Sequence, residues 1–183
     1  MRELATAVLA TLALTLSACT KDDPPPLDPT SAATTPANPD ATLPPMPAVA
    51  KEFTPNGAAT FVSYYVSLLD YASKTGDVEQ LTRVSAPDCG GCSDYIQLFS
   101  NTYESGGYIV GRDWKRGGTD LDFVSLRGSE SFATTTITIS AGVNRLSADK
   151  DEKRVTASRD RVTFGVAFDD DWAITQFGLG ELG

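Results

Sequence analysis

The chain has 183 residues, with 15 Lys and Arg against 24 Asp and Glu, no histidine, and a net charge of −9. So acidic a surface repels phosphate backbones, which argues against nucleic acid as a partner. The absence of histidine excludes Ser-His-Asp and Cys-His catalysis, histidine-ligated zinc or haem, and a histidine pH switch.

In chain order, the first patterned stretch is Leu4 to Leu16, uncharged and about 20 Å long as a helix, against roughly 30 Å of bilayer hydrocarbon. It is too short to span and has the size of a signal-peptide core. Leu16-Ser17-Ala18-Cys19 follows, and its order of one aliphatic residue, two small residues and a cysteine resembles the lipobox of bacterial lipoproteins. That resemblance implies a signal peptide over residues 1–18 and a Cys19 that takes a diacylglyceryl thioether and becomes the mature N-terminus. Several palmitate-like acyl chains then anchor the protein on the extracytoplasmic face of the cell membrane, at about 0.8 kcal/mol per buried methylene.

Residues 19–52 read as a disordered tether. Of the 11 prolines, only Pro55 and Pro87 lie beyond Pro47, and the intervening residues are mostly Ala, Thr, Ser and Asp. Such a stretch cannot build a core. As a polyproline-II-like spacer it reaches on the order of 90 Å.

One domain is expected over residues 53–183. Thr54-Pro55 predicts a helix start, with Thr54 as N-cap and Pro55 in the first helical position. Ala58, Phe61, Val62, Tyr65, Leu68, Leu69 and Ala72 then recur at spacings of three and four and make one apolar stripe. Gly76 ends this helix, and Asp77 caps a short second one whose Val78, Leu81 and Val84 face inward. A third helix is expected from about Ser93 to Tyr103, burying Tyr95, Ile96 and Phe99. From Tyr108 the apolar period becomes two. The expected strands are Tyr108–Trp114, Leu121–Leu126 after a Gly117-Gly118 turn, Phe132–Val143, Val155–Phe168 with a bend at Gly165, and Trp172–Phe177. Helices followed by strands at hairpin spacing predict an α+β domain, with N-terminal helices packed on a curved antiparallel sheet.

That layout resembles the cone-shaped fold of the nuclear transport factor 2-like superfamily. More closely, the lipobox, the Pro/Thr tail, Met46-Pro47, Gly57 to Tyr65 and Cys89-Gly90-Gly91-Cys92 resemble a family of uncharacterised actinobacterial lipoproteins, a domain of unknown function. The likeness speaks to architecture rather than activity.

Cys89 and Cys92 admit three readings: a structural disulfide, a thioredoxin-type redox pair, or two ligands of a metal site. No second Cys pair or histidine completes a metal site, and no strand precedes the pair, so the disulfide is favoured, as suits an exported domain. No cofactor and no metal is expected. The cone-shaped folds enclose a cavity, for which Tyr64, Tyr65, Trp114, Phe123 and Trp172 are the candidate lining. Isomerase-type chemistry in such a cavity requires a carboxylate base. Asp120 and Asp122 read as solvated, and Asp169-Asp170-Asp171 as a turn. The leading expectation is a non-enzymatic, membrane-anchored module that binds a protein, glycan or lipid of the cell envelope. The alternative is a small-molecule pocket protein or an isomerase-like enzyme.

Overall fold

The computed structural model describes residue 38 and residues 40–179, so the expected signal peptide, Cys19 and most of the tether lie outside the described residues. The packed domain begins earlier than the expected boundary at Phe53. A 3-10 helix, Ala48–Lys51, buries Ala50 completely, and Met46 packs on the core. Short apolar residues suffice here, because this segment is a strap laid on a surface already formed by the first long helix.

That helix is α1, Pro55–Thr75. The Thr54 hydroxyl accepts from the Gly57 amide at 2.9 Å, and Gly76 closes the other end at φ 76°, as the capping signals predict. The helix buries Phe61, Val62, Tyr65, Leu68 and Leu69. Gly57 has a second role. A Cβ there would stand 1.9 Å from the Glu52 carbonyl oxygen, so only glycine lets the strap cross the helix at this height.

Helix α2, Glu79–Arg83, starts one residue later than a cap at Asp77 implies, but the Asp77 carboxylate still accepts from the Glu79 amide at 3.1 Å. Helix α3, Gly90–Glu104, begins earlier than expected, with both glycines in its first turn. Glycine usually weakens a helix, which hides the start in the sequence. At Gly91 packing overrides propensity: a Cβ would lie 1.6 Å from the Phe177 carbonyl oxygen, so α3 can rest on the last strand only through a glycine.

The strands are β1 Tyr108–Val110, β2 Trp114–Asp122, β3 Glu130–Ile139, β4 Gly142–Arg145, β5 Lys153–Val155, β6 Ser158–Phe168 and β7 Trp172–Leu179. All pairs are antiparallel, in sheets of order β1-β4-β5 and β2-β3-β6-β7. Three of the expected long strands are thus each cut once, and the cuts align. Gly111, at φ 76°, separates β1 from β2; Ser140-Ala141 separates β3 from β4; Thr156-Ala157 separates β5 from β6. Along this crease the Ser140 hydroxyl accepts from the Asp113 amide at 2.8 Å and donates to the Gly111 carbonyl at 2.7 Å. Curvature is therefore made by a crease rather than by a smooth bend.

Two further strand expectations need correction. Gly117-Gly118 is not a hairpin turn but lies within β2, where the register shifts between Arg116 and Thr119. Leu121–Leu126 is not a strand of its own, because β2 runs on to Asp122 and stops. The same bulge explains a buried polar residue: the Thr135 hydroxyl donates to the Gly118 carbonyl at 2.8 Å. Gly165 does mark an irregularity, a register shift between Gly165 and Val166 against β7. Ala133, Ile137 and Ile139 of β3 and Val162, Phe164, Val166 and Phe168 of β6 form the buried face under the helices.

Candidate functional site

The five expected pocket residues do not meet in one cavity. Trp114 pairs with Ile139, and Ile139 with Ser158, at one end of the four-stranded sheet; Trp172 pairs with Phe168 at the other. Between them Tyr65 is a core residue, edge-on to Phe164 and Phe177 at 6.0 Å each, with its hydroxyl 3.1 Å from the Ser85 hydroxyl. Burial pushes its phenol up to about 12, against a smaller opposing effect of the Ser85 hydrogen bond. Tyr64 is buried toward α2, near Gln80 and Arg83.

Phe123 and Trp172 do meet, with ring centroids 6.4 Å apart, but in a filled aromatic cluster. Phe53 stacks among Phe123, Phe168 and Trp172 at 5.6, 5.0 and 5.9 Å. The Arg127 guanidinium covers Phe53 at 5.1 Å and Phe168 at 4.7 Å. Trp172 Nε1 donates to the Glu52 carbonyl at 3.0 Å and Arg127 Nη1 to the Asp169 carbonyl at 2.8 Å, so polar groups at this end are satisfied. A recess of about 240 Å³ beside Phe61 and Trp172 is roofed by Met46 and Ala50 of the strap.

The Trp114 end is built differently. A cavity of about 200 Å³ lies between the ends of α1 and α3 and the crease, walled by Tyr95, Leu98, Phe99, Ile109, Trp114 and Ile139. Tyr95 and Phe99 come from one face of α3, and both meet Trp114 edge-on, at 5.5 and 6.3 Å. Four polar side chains also reach it: Ser73, Arg112, Asn144 and Ser158. Ser73 is spent on the Asp70 carbonyl at 2.8 Å, and Arg112 Nη1 donates to the Thr156 carbonyl at 3.1 Å. Asn144 Oδ1 is buried with no hydrogen-bond partner. Its position follows from register: Asn144 faces Ile109 across the β1–β4 ladder, on the side turned toward the helices.

A charged lock holds the α1 side of this cavity. Lys74 Nζ lies 2.8 Å from Asp70 and 2.7 Å from Asp113, and Asp70 accepts the Trp114 amide at 2.8 Å. Burial would lower the Lys74 ammonium, but hydrogen bonds and charge from Asp113 and Asp70 outweigh it and raise it. Lys74 in turn holds the Asp113 carboxyl below its usual value. Burial pushes the Tyr95 phenol up, and the charge of Asp160 adds to that.

Sequence reasoning placed Trp114 at this site but named neither Arg112 nor Asn144. Tyr95 and Phe99 entered it only as buried helix residues. Asn144 carries no periodic signal, since β4 is short and its burial depends on which strand it faces. The acids read as solvated are exposed in the fold: the Asp120 side chain is 91% accessible, 3.8 Å from Arg161. Among the described residues no Asp or Glu is buried, and no cluster of His, Cys, Asp or Glu could hold a metal ion.

Cys89 and Cys92 have their sulfurs 2.00 Å apart, at disulfide distance, and are only 2% and 1% exposed. Cys89 is the N-cap of α3, a position where thiolates are stabilised and redox pairs are often placed. Burial decides against exchange with another protein, because an attacking thiolate needs access to sulfur. The ring instead fixes the entry to α3 beside β7, where the Ala86 amide donates to the Ile174 carbonyl at 2.8 Å and the Ile174 amide to the Val84 carbonyl at 2.9 Å.

A family model described as a family of unknown function (DUF6318) matches residues 29–176. No curated protein matches the chain. A solved structure of an aromatic ring hydroxylase-like protein from Novosphingobium aromaticivorans is similar at 15% identity and a TM-score of 0.44, covering 67% of this chain and 84% of that one. So distant a likeness carries no argument about fold or activity.

Proposed function

We propose, given that this chain belongs to the DUF6318 family of unknown function, that it is a lipid-anchored extracytoplasmic binding module of the actinobacterial lipoprotein type. The lipobox Leu16-Ser17-Ala18-Cys19, with an apolar run before it and a proline-rich stretch after it, supports the anchor. Among the described residues no helix is long and apolar enough to cross a membrane, and the attachment proposed is the lipid on Cys19. The α+β domain, three helices over creased antiparallel sheets, supports a nuclear transport factor 2-like reading of the fold.

The observation that favours binding is the Trp114 cavity, which joins aromatic walls to a buried acceptor with no partner. An isomerase-like enzyme of this fold is less well supported. Its base must stand in the cavity as a carboxylate, and the lining holds none. Asp160, the acid whose charge reaches Tyr95, is not among the lining residues.

The anchor is tested by expressing Cys19→Ala in an actinobacterial host and following membrane fractionation and fatty-acid label. The expected result is loss of the label and release from the membrane fraction. Retention of both in the variant removes the lipoprotein reading.

A further inference from the structure

We infer that the Trp114 cavity is the binding site of a small aromatic acid, a single ring that carries one carboxylate and one hydroxyl. The inference rests on the binding-module reading and narrows it to one site and one ligand class.

Size sets the first limit. Ligand pockets usually hold roughly 300–1,000 Å³, so a cavity of about 200 Å³ suits a molecule of on the order of ten non-hydrogen atoms. The walls set the second. Tyr95 and Phe99 pack directly on Trp114 edge-on, at interplanar angles of 86° and 89°, so the three rings form one aromatic wall, and a flat ring laid against it meets ring edges and ring faces together.

The polar groups set the substituents. Asn144 Oδ1 accepts nothing within the protein, and a ligand hydroxyl is the donor it lacks. Arg112 is the one lining residue that carries a full charge at neutral pH, and its contact with the Thr156 carbonyl engages Nη1 alone. The remaining N–H groups form the planar fork that suits a carboxylate. Asp94 and Asp160 act on the Tyr95 hydroxyl, but neither lines the cavity, so the anionic end of the ligand is directed to Arg112. Water is the competing occupant, because a polar cavity of this size holds it readily.

Isothermal titration calorimetry on the full chain in detergent, with 4-hydroxybenzoate, benzoate and phenol as probes, tests each contact separately. The expected result is one-to-one binding of 4-hydroxybenzoate, with benzoate and phenol each at least about tenfold weaker. Asn144→Leu should bring 4-hydroxybenzoate and benzoate to within about twofold of each other, and Arg112→Gln should do the same for 4-hydroxybenzoate and phenol. Heats no larger than the detergent blank for all three probes mean ordered water only, and overturn both this inference and the cavity as a binding site. Phenol binding as tightly as 4-hydroxybenzoate overturns the acid class while leaving the cavity a binding site. An unchanged gap between 4-hydroxybenzoate and benzoate in Asn144→Leu overturns the seating on Asn144. The three-probe comparison on the unaltered chain needs no variant to fold, and none of these outcomes bears on the Cys19 anchor.

Discussion

The two adjacent glycines of Cys89-Gly90-Gly91-Cys92 should respond to alanine with opposite signs. At Gly90 a new Cβ meets nothing within 4 Å, so Gly90→Ala adds helix propensity at no steric cost. The gain is at most about 1 kcal/mol and smaller in a first turn. At Gly91 the Cβ would stand 1.6 Å from the Phe177 carbonyl oxygen and 2.8 Å from its carbon. Ordinary contact needs about twice the shorter distance, and the obstacle is strand backbone that cannot rotate away. Overpacking of side chains costs about 1–3 kcal/mol; against backbone the upper part of that range applies, and the propensity gain offsets about 1 kcal/mol. Gly91→Ala should therefore lose roughly 2 kcal/mol or more, and lower Tm by about 5 °C or more for a domain of this length. Thermal and urea unfolding followed by circular dichroism and tryptophan emission measures both variants. Equal Tm values for Gly90→Ala and Gly91→Ala would refute the close packing of α3 on β7.

Two further expectations concern the core. Cys89 and Cys92 are three positions apart, so closing their ring stabilises by only about 2 kcal/mol on the loop-entropy estimate. The Cys89→Ala, Cys92→Ala double variant should fold and lose about that amount, and thiol titration of the unreduced protein should find neither cysteine free. Tyr65, with its phenol near 12 when folded, keeps its proton where an unfolded tyrosine loses it, near 10. The folded state then binds more protons than the unfolded one, so stability falls as pH rises from about 10 to 12, by roughly 2–3 kcal/mol from this residue. Tyr65→Phe should flatten that alkaline limb in pH-dependent urea titrations, while costing about 1 kcal/mol at neutral pH for the lost Ser85 contact.

What the sequence discloses depends on how local its cause is. The start and end of α1 are legible because Thr54, Pro55 and Gly76 act within one turn of themselves. The alternation through Phe132 to Ile139 and Val162 to Phe168 is legible because one face of a sheet is buried along its whole length. The crease is not legible, since it forms where three strands break at the same level, and only Gly111 among the residues there signals a break. The early start of α3 is hidden for the same reason: the case for Gly91 lies in a carbonyl of β7, 86 residues away in the chain. The aromatic residues were recognisable as a set, but not their division between two ends of the sheet. Phe53, Phe123, Phe168 and Trp172 pack on one another at one end, with a recess under the strap beside Trp172, whereas Tyr95, Phe99 and Trp114 line a cavity at the other.

That division carries a further consequence for Asn144. At the Trp172 end the indole and the guanidinium both have carbonyl partners, so burial there is compensated. At the Trp114 end a buried amide oxygen has none. An unsatisfied acceptor costs about 1–3 kcal/mol, and replacing it with an apolar group of similar shape removes the cost. With Oδ1 dry, Asn144→Leu raises the stability of the ligand-free protein by about 1 kcal/mol and its Tm by about 3 °C; water seated on Oδ1, which a polar cavity of this size can hold, reverses the sign. Its neighbours across the ladder and the cavity, Ile109 and Ile139, are apolar and accept the new side chain. A core asparagine with a purely structural role predicts the reverse, a loss on substitution. The sign in thermal unfolding separates the two: a gain marks a residue kept at the expense of stability, and a loss means that bound water already satisfies Oδ1.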